Sequence, residues 1–179
     1  MKTKSIIMNA QEIEFSLKRI ALEILEKNTV LKNVALIGIR SRGVPMVERL
    51  SGYIFDHENI KIKTGILDIT LYRDDLSQVA DNPVHNDSEI DFDVNYAKII
   101  FVDDVLYTGR TVLSAIQAIQ KMGKPKSIQL CVLIDRGHHE LPFEAEYIGK
   151  SVPTSQKEII KVSFLETDEE ENVKILERD

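Results

Sequence analysis

Three short stretches of this chain consist almost wholly of apolar residues: Val34–Ile39, Ile99–Val102 and Ile128–Ile134. A strand with one wet face alternates apolar and polar residues. An unbroken apolar run therefore fits a strand covered on both faces. Around these runs the apolar residues recur at helical spacing. From Asn9 to about Lys27, residues Ile13, Leu17, Ile20, Ala21, Ile24 and Leu25 share one face. Asn9 fits the N-cap of that helix, and Glu12 completes a capping box. Gly43 to Ile54 reads as a second helix, with Pro45 tolerated in its first turn. Val112–Met122 reads as a third, with Gly123 at its C′ position and Pro125 just beyond. Strands alternating with helices predict an α/β fold, a parallel sheet with helices on both faces.

Lys61–Leu71 is rich in β-branched residues and reads as a further strand. From Asp74 to Asp93 there is no Lys or Arg. This polar, acidic stretch, within about 72–93, reads as a long mobile loop, and such loops are often lids. Val162–Leu165 and Val173–Leu176 read as two final strands around an acidic turn. The expectation is one domain over residues 1–179, with a small β-rich hood at about 135–165.

The net charge of −6 gives no general reason to expect nucleic-acid binding, though it leaves room for a local basic patch. No apolar run has the length of a membrane span, and the N-terminus lacks the apolar core of a signal peptide. The single cysteine, Cys131, lies in an apolar run, cannot form an internal disulfide and has no paired base; it reads as a core residue. These features point to a cytoplasmic protein with no membrane partner.

The most informative run for chemistry is Ile99–Thr111. An apolar strand ends in two adjacent carboxylates, Asp103 and Asp104. A short loop with Thr108, Gly109 and Thr111 then leads into a helix. Loop N–H groups and a helix N-terminus hold phosphate, and carboxylates at the end of a strand take sugar hydroxyls or a metal. The run predicts a sugar-phosphate site; the plainer reading is a strand-to-helix turn with Asp as cap. A Walker loop and a dinucleotide fingerprint are both absent from the sequence. The turn Arg40-Ser41-Arg42-Gly43 follows the first core strand and should lie beside the acid pair by the switch-point rule. It suits a pyrophosphate, or it is a solvated basic turn. Tyr72 and Arg73 enter the acidic loop; they can close over a pyrophosphate, or Arg73 pairs with Asp74 or Asp75. Asp135 ends the strand after the loop and is either a Mg²⁺ ligand or a turn cap. His138 and His139 lack further ligands at metal spacing and read as loop or surface residues.

Several blocks together resemble one family. Val102-Asp-Asp-Val-Leu-Tyr-Thr-Gly-Arg-Thr111 is similar to the phosphoribosyl pyrophosphate (PRPP) loop of type I phosphoribosyltransferases. The blocks Gly38–Gly43, Asp68–Leu76, Asp135–His138 and Tyr147–Ser155 narrow the resemblance to the PyrR family of pyrimidine operon regulators with uracil phosphoribosyltransferase activity. The resemblance implies the type I phosphoribosyltransferase fold and conversion of uracil and PRPP to UMP and pyrophosphate with Mg²⁺. It places the 5′-phosphate on Tyr107, Thr108, Gly109, Arg110 and Thr111, and ribose hydroxyls on Asp103 and Asp104. Pyrophosphate falls to Arg40, Ser41, Arg42 and Arg73, with Tyr72 beside it. Asp135 assists Mg²⁺, and Arg136 and Val152 shape the uracil pocket. It further implies UMP-favoured binding of a pyrimidine-operon leader mRNA and a homo-oligomer, a dimer or higher. Family members that bind RNA carry arginines in the first helix and after the Asp-Arg-Gly-His block. This chain has Glu12, Glu14 and Phe15 in the helix, His139 in place of an Arg, and Glu144. The remaining RNA candidates are Lys18, Arg19, His138, Lys150 and Lys157. Two alternatives stand beside this reading: transfer to a purine base, and an RNA-binding regulator with little catalysis.

Overall fold

The computed structural model describes residues 1–72 and 87–177. In chain order the elements are β1 (Lys2–Asn9), α1 (Ala10–Lys27), β2 (Val34–Ile39), α2 (Gly43–Glu58), β3 (Lys63–Leu67), β4 (Lys98–Leu106), α3 (Arg110–Met122), β5 (Ser127–Asp135), β6 (Tyr147–Ser151), β7 (Glu158–Ser163) and β8 (Asn172–Glu177). The main sheet has the order β3-β2-β4-β5-β6, and every pairing in it is parallel. Arg73 and the stretch 73–86 of the anticipated loop lie outside the described residues.

The unbroken apolar runs became strands with a core on each face. Val34 and Leu36 of β2, and Ile100 and Val102 of β4, belong to one cluster with Ile13, Leu17 and Ile20 of α1 and Met46 and Leu50 of α2. Ile37, Ile39, Ile99 and Phe101 belong to the other, with Val112, Ala115 and Ile119 of α3. This is the period-two alternation of a strand, with apolar residues on both sides. The first helix starts where its capping box places it. The Asn9 side chain accepts from the Glu12 N–H at 3.0 Å, and Glu12 accepts from the Asn9 N–H at 2.8 Å.

Several boundaries differ from the sequence reading. β4 continues past Val102 to Leu106, because Asp103 through Leu106 stay in register with β5. The acid pair is therefore part of the strand, and α3 starts at Arg110 rather than Val112. Gly123 ends α3 with φ 164°, an extended conformation open to any residue. Glycine is needed there for space: a Cβ would meet Val94 Cγ2 at 2.6 Å. The hood also differs. Its antiparallel sheet has the order β1-β8-β7, so it draws on both ends of the chain and is not confined to 135–165. β6 instead extends the main sheet, parallel to β5. The N-terminal strand left little sequence signal, since Met8 is its one buried residue and its partner β8 is remote in sequence.

Glu158 on β7 accepts from Lys4 on β1 and from the Ser155 N–H. The Lys4 bond, followed by the Ser155 N–H, holds its carboxyl down at about 2, below the ordinary 4.5. A depressed carboxylate stabilises the fold above its unfolded value, and that contribution is lost as pH falls through the folded value. Wild-type protein should therefore lose urea resistance between about pH 4.5 and pH 2, and Glu158→Gln should flatten that part of the profile. A second prediction concerns two glycines. A Cβ on Gly43 would lie 2.1 Å from the Val102 carbonyl oxygen, whereas Gly52 on α2 has nothing within 4 Å. Gly43→Ala should cost roughly 3 kcal/mol or more by chemical denaturation. Gly52→Ala should stabilise by about 0.5–1 kcal/mol, as expected in a helix interior.

Candidate active site

β4 lies between β2 and β5, and its carboxyl end carries Asp103 and Asp104. The chain leaves through Tyr107, Thr108 and Gly109 and turns directly into α3. Gly109 is the N-cap, with φ +91°, a left-handed conformation that favours glycine, and the Arg110 N–H donates to Thr108 Oγ1 at 3.4 Å. The first N–H groups of a helix have no partner within it, so the positive end of α3 is open to an anion. Beside it is a hollow of about 530 Å³ lined by Asp103, Tyr107, Thr108, Gly109, Arg110, Thr111 and Ser114, with Leu130 and Val132 as its apolar wall.

The two carboxylates differ. The Asp104 N–H donates to Asp103 Oδ1 at 2.9 Å. Burial pushes the Asp104 carboxyl above the ordinary aspartate range, against the opposing pull of the Asp103 bond and the nearby Arg42 charge. A carboxyl in that environment favours company from hydroxyl donors.

The Arg40–Gly43 turn does lie beside the acid pair. The Gly43 backbone is pressed against the Val102 carbonyl, and a Cβ on Gly38 would lie 2.8 Å from the Gly43 oxygen. The Arg40–Ser41 peptide is cis. Arg40 donates to the Asp87 carbonyl at 2.8 Å and lies 3.5 Å from Glu89. Arg42 forms a two-pronged pair with Asp168 at 2.6 and 2.9 Å, which ties the turn to the acidic β7–β8 connection. The ends of the acidic loop also meet. Ile66 and Glu89 exchange backbone hydrogen bonds at 2.9 and 2.8 Å, and buried Asp68 accepts from Thr70 and from the Asp87 N–H.

Other anticipated residues are placed differently. The Tyr72 ring lies under the Lys121 amine at 4.8 Å, along α3, and does not line the hollow. Arg136 is buried; it donates to Thr154 Oγ1 and to the Ser155 and Glu158 carbonyls. Its guanidinium lies 4.0 Å from the Tyr107 ring centre, so it props the loop between β4 and α3. The Val152 N–H donates to the Asp135 carbonyl at 2.8 Å, and neither Arg136 nor Val152 lines this hollow. Asp135 Oδ1 accepts from the Gly137 N–H and meets His139 Nε2, each at 2.9 Å. Among the described residues, no group of three His, Cys, Asp or Glu side chains could hold a metal ion alone.

Most of the basic residues considered for RNA are engaged within the molecule. Lys18 pairs with Glu14. Arg19 pairs with Glu23 and donates to the Ile148 and Gly149 carbonyls. Lys150 donates to the Ile7 carbonyl, and His138 meets the Thr154 carbonyl. Lys157 is exposed. Sequence reasoning missed the segment that packs on the loop between β4 and α3. The Thr108 carbonyl accepts from the Glu140 and Leu141 N–H groups at 3.1 Å, Phe143 packs against Gly109, and Glu140 pairs with Arg110. Its irregular sequence carries no period; the Leu141-x-Phe143 spacing is the one hint of an apolar cover.

Among the described residues no helix is long and apolar enough to cross a membrane. The fold is shared with the hypoxanthine phosphoribosyltransferase of Trypanosoma cruzi, solved as a mutant in a ternary substrates complex, at a TM-score of 0.75 and 17% identity over 97% of this chain and 95% of that one. The hypoxanthine phosphoribosyltransferase of Staphylococcus aureus gives 0.67 and 18% over 84% and 78%. The family model for the phosphoribosyl transferase domain matches residues 4–167. Among curated proteins, the Bifunctional protein PyrR of Clostridium novyi is 50% identical over 99% of this chain and all of its own length. That of Pelotomaculum thermopropionicum is 53% identical over 98% and 97%. With half of all positions identical from end to end, the chain belongs to the phosphoribosyl transferase domain family and, within it, to the PyrR group.

Proposed function

We propose that this protein transfers the phosphoribosyl group of PRPP to uracil, giving UMP and pyrophosphate, and that it regulates pyrimidine biosynthesis through leader mRNA. The hollow between Asp103 and the start of α3, with Asp104 next to it in sequence, carries the enzymatic reading. The 5′-phosphate takes the N–H groups and hydroxyls of Thr108–Thr111. The two ribose hydroxyls take Asp103 and Asp104. The Arg40–Arg42 turn and Arg73 hold the pyrophosphate, with Arg42 exchanging Asp168 for it. In the reaction the bond from C1′ to the pyrophosphate oxygen breaks, and its electron pair leaves with pyrophosphate. N1 of uracil bonds to C1′ and loses its proton. No side chain bonds to the sugar. The protein contributes position and fixed charge, with Asp103 beside the sugar whose C1′ becomes cationic.

The residues fit Mg²⁺ carried on the substrate. Two adjacent carboxylates and Asp135 cannot enclose the ion alone, and Mg²⁺ usually takes one or two carboxylates together with phosphate oxygens. When bound, the ion neutralises the pyrophosphate leaving group.

The test is UMP formation from uracil, PRPP and Mg²⁺, with hypoxanthine and guanine in parallel. Preference for a purine would overturn the pyrimidine assignment. Asp103→Asn should lower kcat/KM by about 100-fold or more. Thr108→Ala should lower it roughly 10- to 100-fold, the loss of one hydrogen bond to a charged phosphate. For the regulatory half, a gel shift at near-physiological salt should show UMP-stimulated binding of a leader hairpin; absence of leader-specific binding would remove that half.

A further inference from the structure

The rim of the main sheet opposite the acid pair carries a feature that the transfer reaction does not use. Strands of a parallel sheet all start on one side, and here those starts bring lysines together. Lys63 opens β3, Lys98 opens β4, and Lys126 immediately precedes β5. In register, Lys63 pairs with Ala35, and Lys98 pairs with Val34 and Ser127. At the usual strand spacing these three positions span roughly 15 Å. Among the described residues, none of the three has a carboxylate within salt-bridge distance, whereas Lys4, Lys18, Arg19, Lys27 and Arg49 are all paired.

Tyr96 projects amid these amines. It is 82% exposed, and its φ is +60°, in the left-handed region where a bulky side chain is a rare outlier. So exposed a ring gains little from burial, and its backbone conformation costs free energy, so folding alone gives no reason for a tyrosine there. The turn that holds it is rigid. The Tyr96 N–H donates to the Lys124 carbonyl at 3.0 Å, the Lys126 N–H to the Ala97 carbonyl at 2.9 Å, and the Lys124 N–H to Asn95 Oδ1 at 2.8 Å. Two hollows, of about 500 and 280 Å³, share Asn33, Tyr96 and Lys126; Lys63 lines the first and Lys98 the second. Asp93 is the one carboxylate among the residues lining them, and its Oδ1 accepts from the N–H and side-chain amide of Asn95.

A rigid exposed ring with a line of cations passing it is the arrangement that holds single-stranded nucleic acid, with bases stacked and phosphates neutralised. We infer that the Tyr96 rim binds single-stranded RNA, one base stacking on Tyr96 and flanking phosphates meeting Lys63, Lys98 and Lys126. Open hollows with cations in both suit a passing strand better than a lone nucleotide, which would leave one hollow unused. Asp103 lies five residues along β4 from Lys98, roughly 17 Å away, so the rim is on the far side of the sheet from the acid pair.

The test uses the full chain and a fluorescein-labelled mixed-sequence RNA 12-mer, followed by anisotropy from 50 to 200 mM salt. Tyr96→Gly removes the ring and relieves the left-handed backbone, so it should fold at least as well as wild type, with uracil turnover unchanged as the check. It should weaken the 12-mer roughly 5- to 100-fold. Lys98→Gln with Lys126→Gln should reduce the slope of log K against log salt by about 1.4. Lys18→Gln, on α1 and already paired with Glu14, should change neither. Wild-type-like binding by Tyr96→Gly, equal Tyr96 dependence with the duplex form of the 12-mer, or no binding by wild type at 50 mM salt each overturns the proposal.

Discussion

The close approach of Gly43 to the Val102 carbonyl sets the position of everything at the carboxyl end of the sheet. No side chain separates the Arg40–Gly43 turn from β4, and Gly38 makes the matching approach from the other side. Backbone pressed on backbone fixes distance more tightly than a packed pair of side chains, because there are no rotamers to adjust. The turn that carries Arg40 and Arg42 is thereby held at the carboxyl end of β4, where the acid pair stands. The charge arrangement follows: Arg42 eases the burial of Asp104 while itself pairing with Asp168.

The hood is attached to this arrangement by charge and by hydrogen bonds. Arg42 reaches Asp168, Arg49 reaches Glu166 and Glu171, and Arg136 reaches the carbonyls at the start of β7. A solvated ion pair contributes little to stability. Arg136 is different, since its guanidinium is buried with three oxygens around it and the Tyr107 ring against it. The hood and the loop between β4 and α3 therefore share one side chain, and a shift of either is felt by the other.

What the sequence disclosed and what it hid divide along one physical line. The three apolar runs, the Asn9 capping box and the Asp-Asp-to-Thr-Gly-x-Thr run are local patterns, and each became the element it implied. The features that were hidden depend on partners far along the chain. β1 has one buried residue and pairs with β8; β6 joins the main sheet through β5; Arg42 finds Asp168 and Arg136 finds Glu158. Arg136 and Tyr72 carried the right chemistry for a ligand, but their surroundings turned one toward structural oxygens and the other toward α3. Gly123 followed the rule for helix ends for another reason, the nearness of Val94.

The paired hydrogen bonds between Ile66 and Glu89, with Asp68 accepting from the Asp87 N–H, close the ring formed by the acidic stretch at its base. The entropy of closing such a ring depends only weakly on its length; doubling the length costs about 0.6 kcal/mol. The sheet is thus thermodynamically almost indifferent to how many residues lie between its two clasped ends. Length and composition between the clasped ends are left nearly free of the demands of the core, and selection on that stretch and on the core acts on nearly separate parts of one chain.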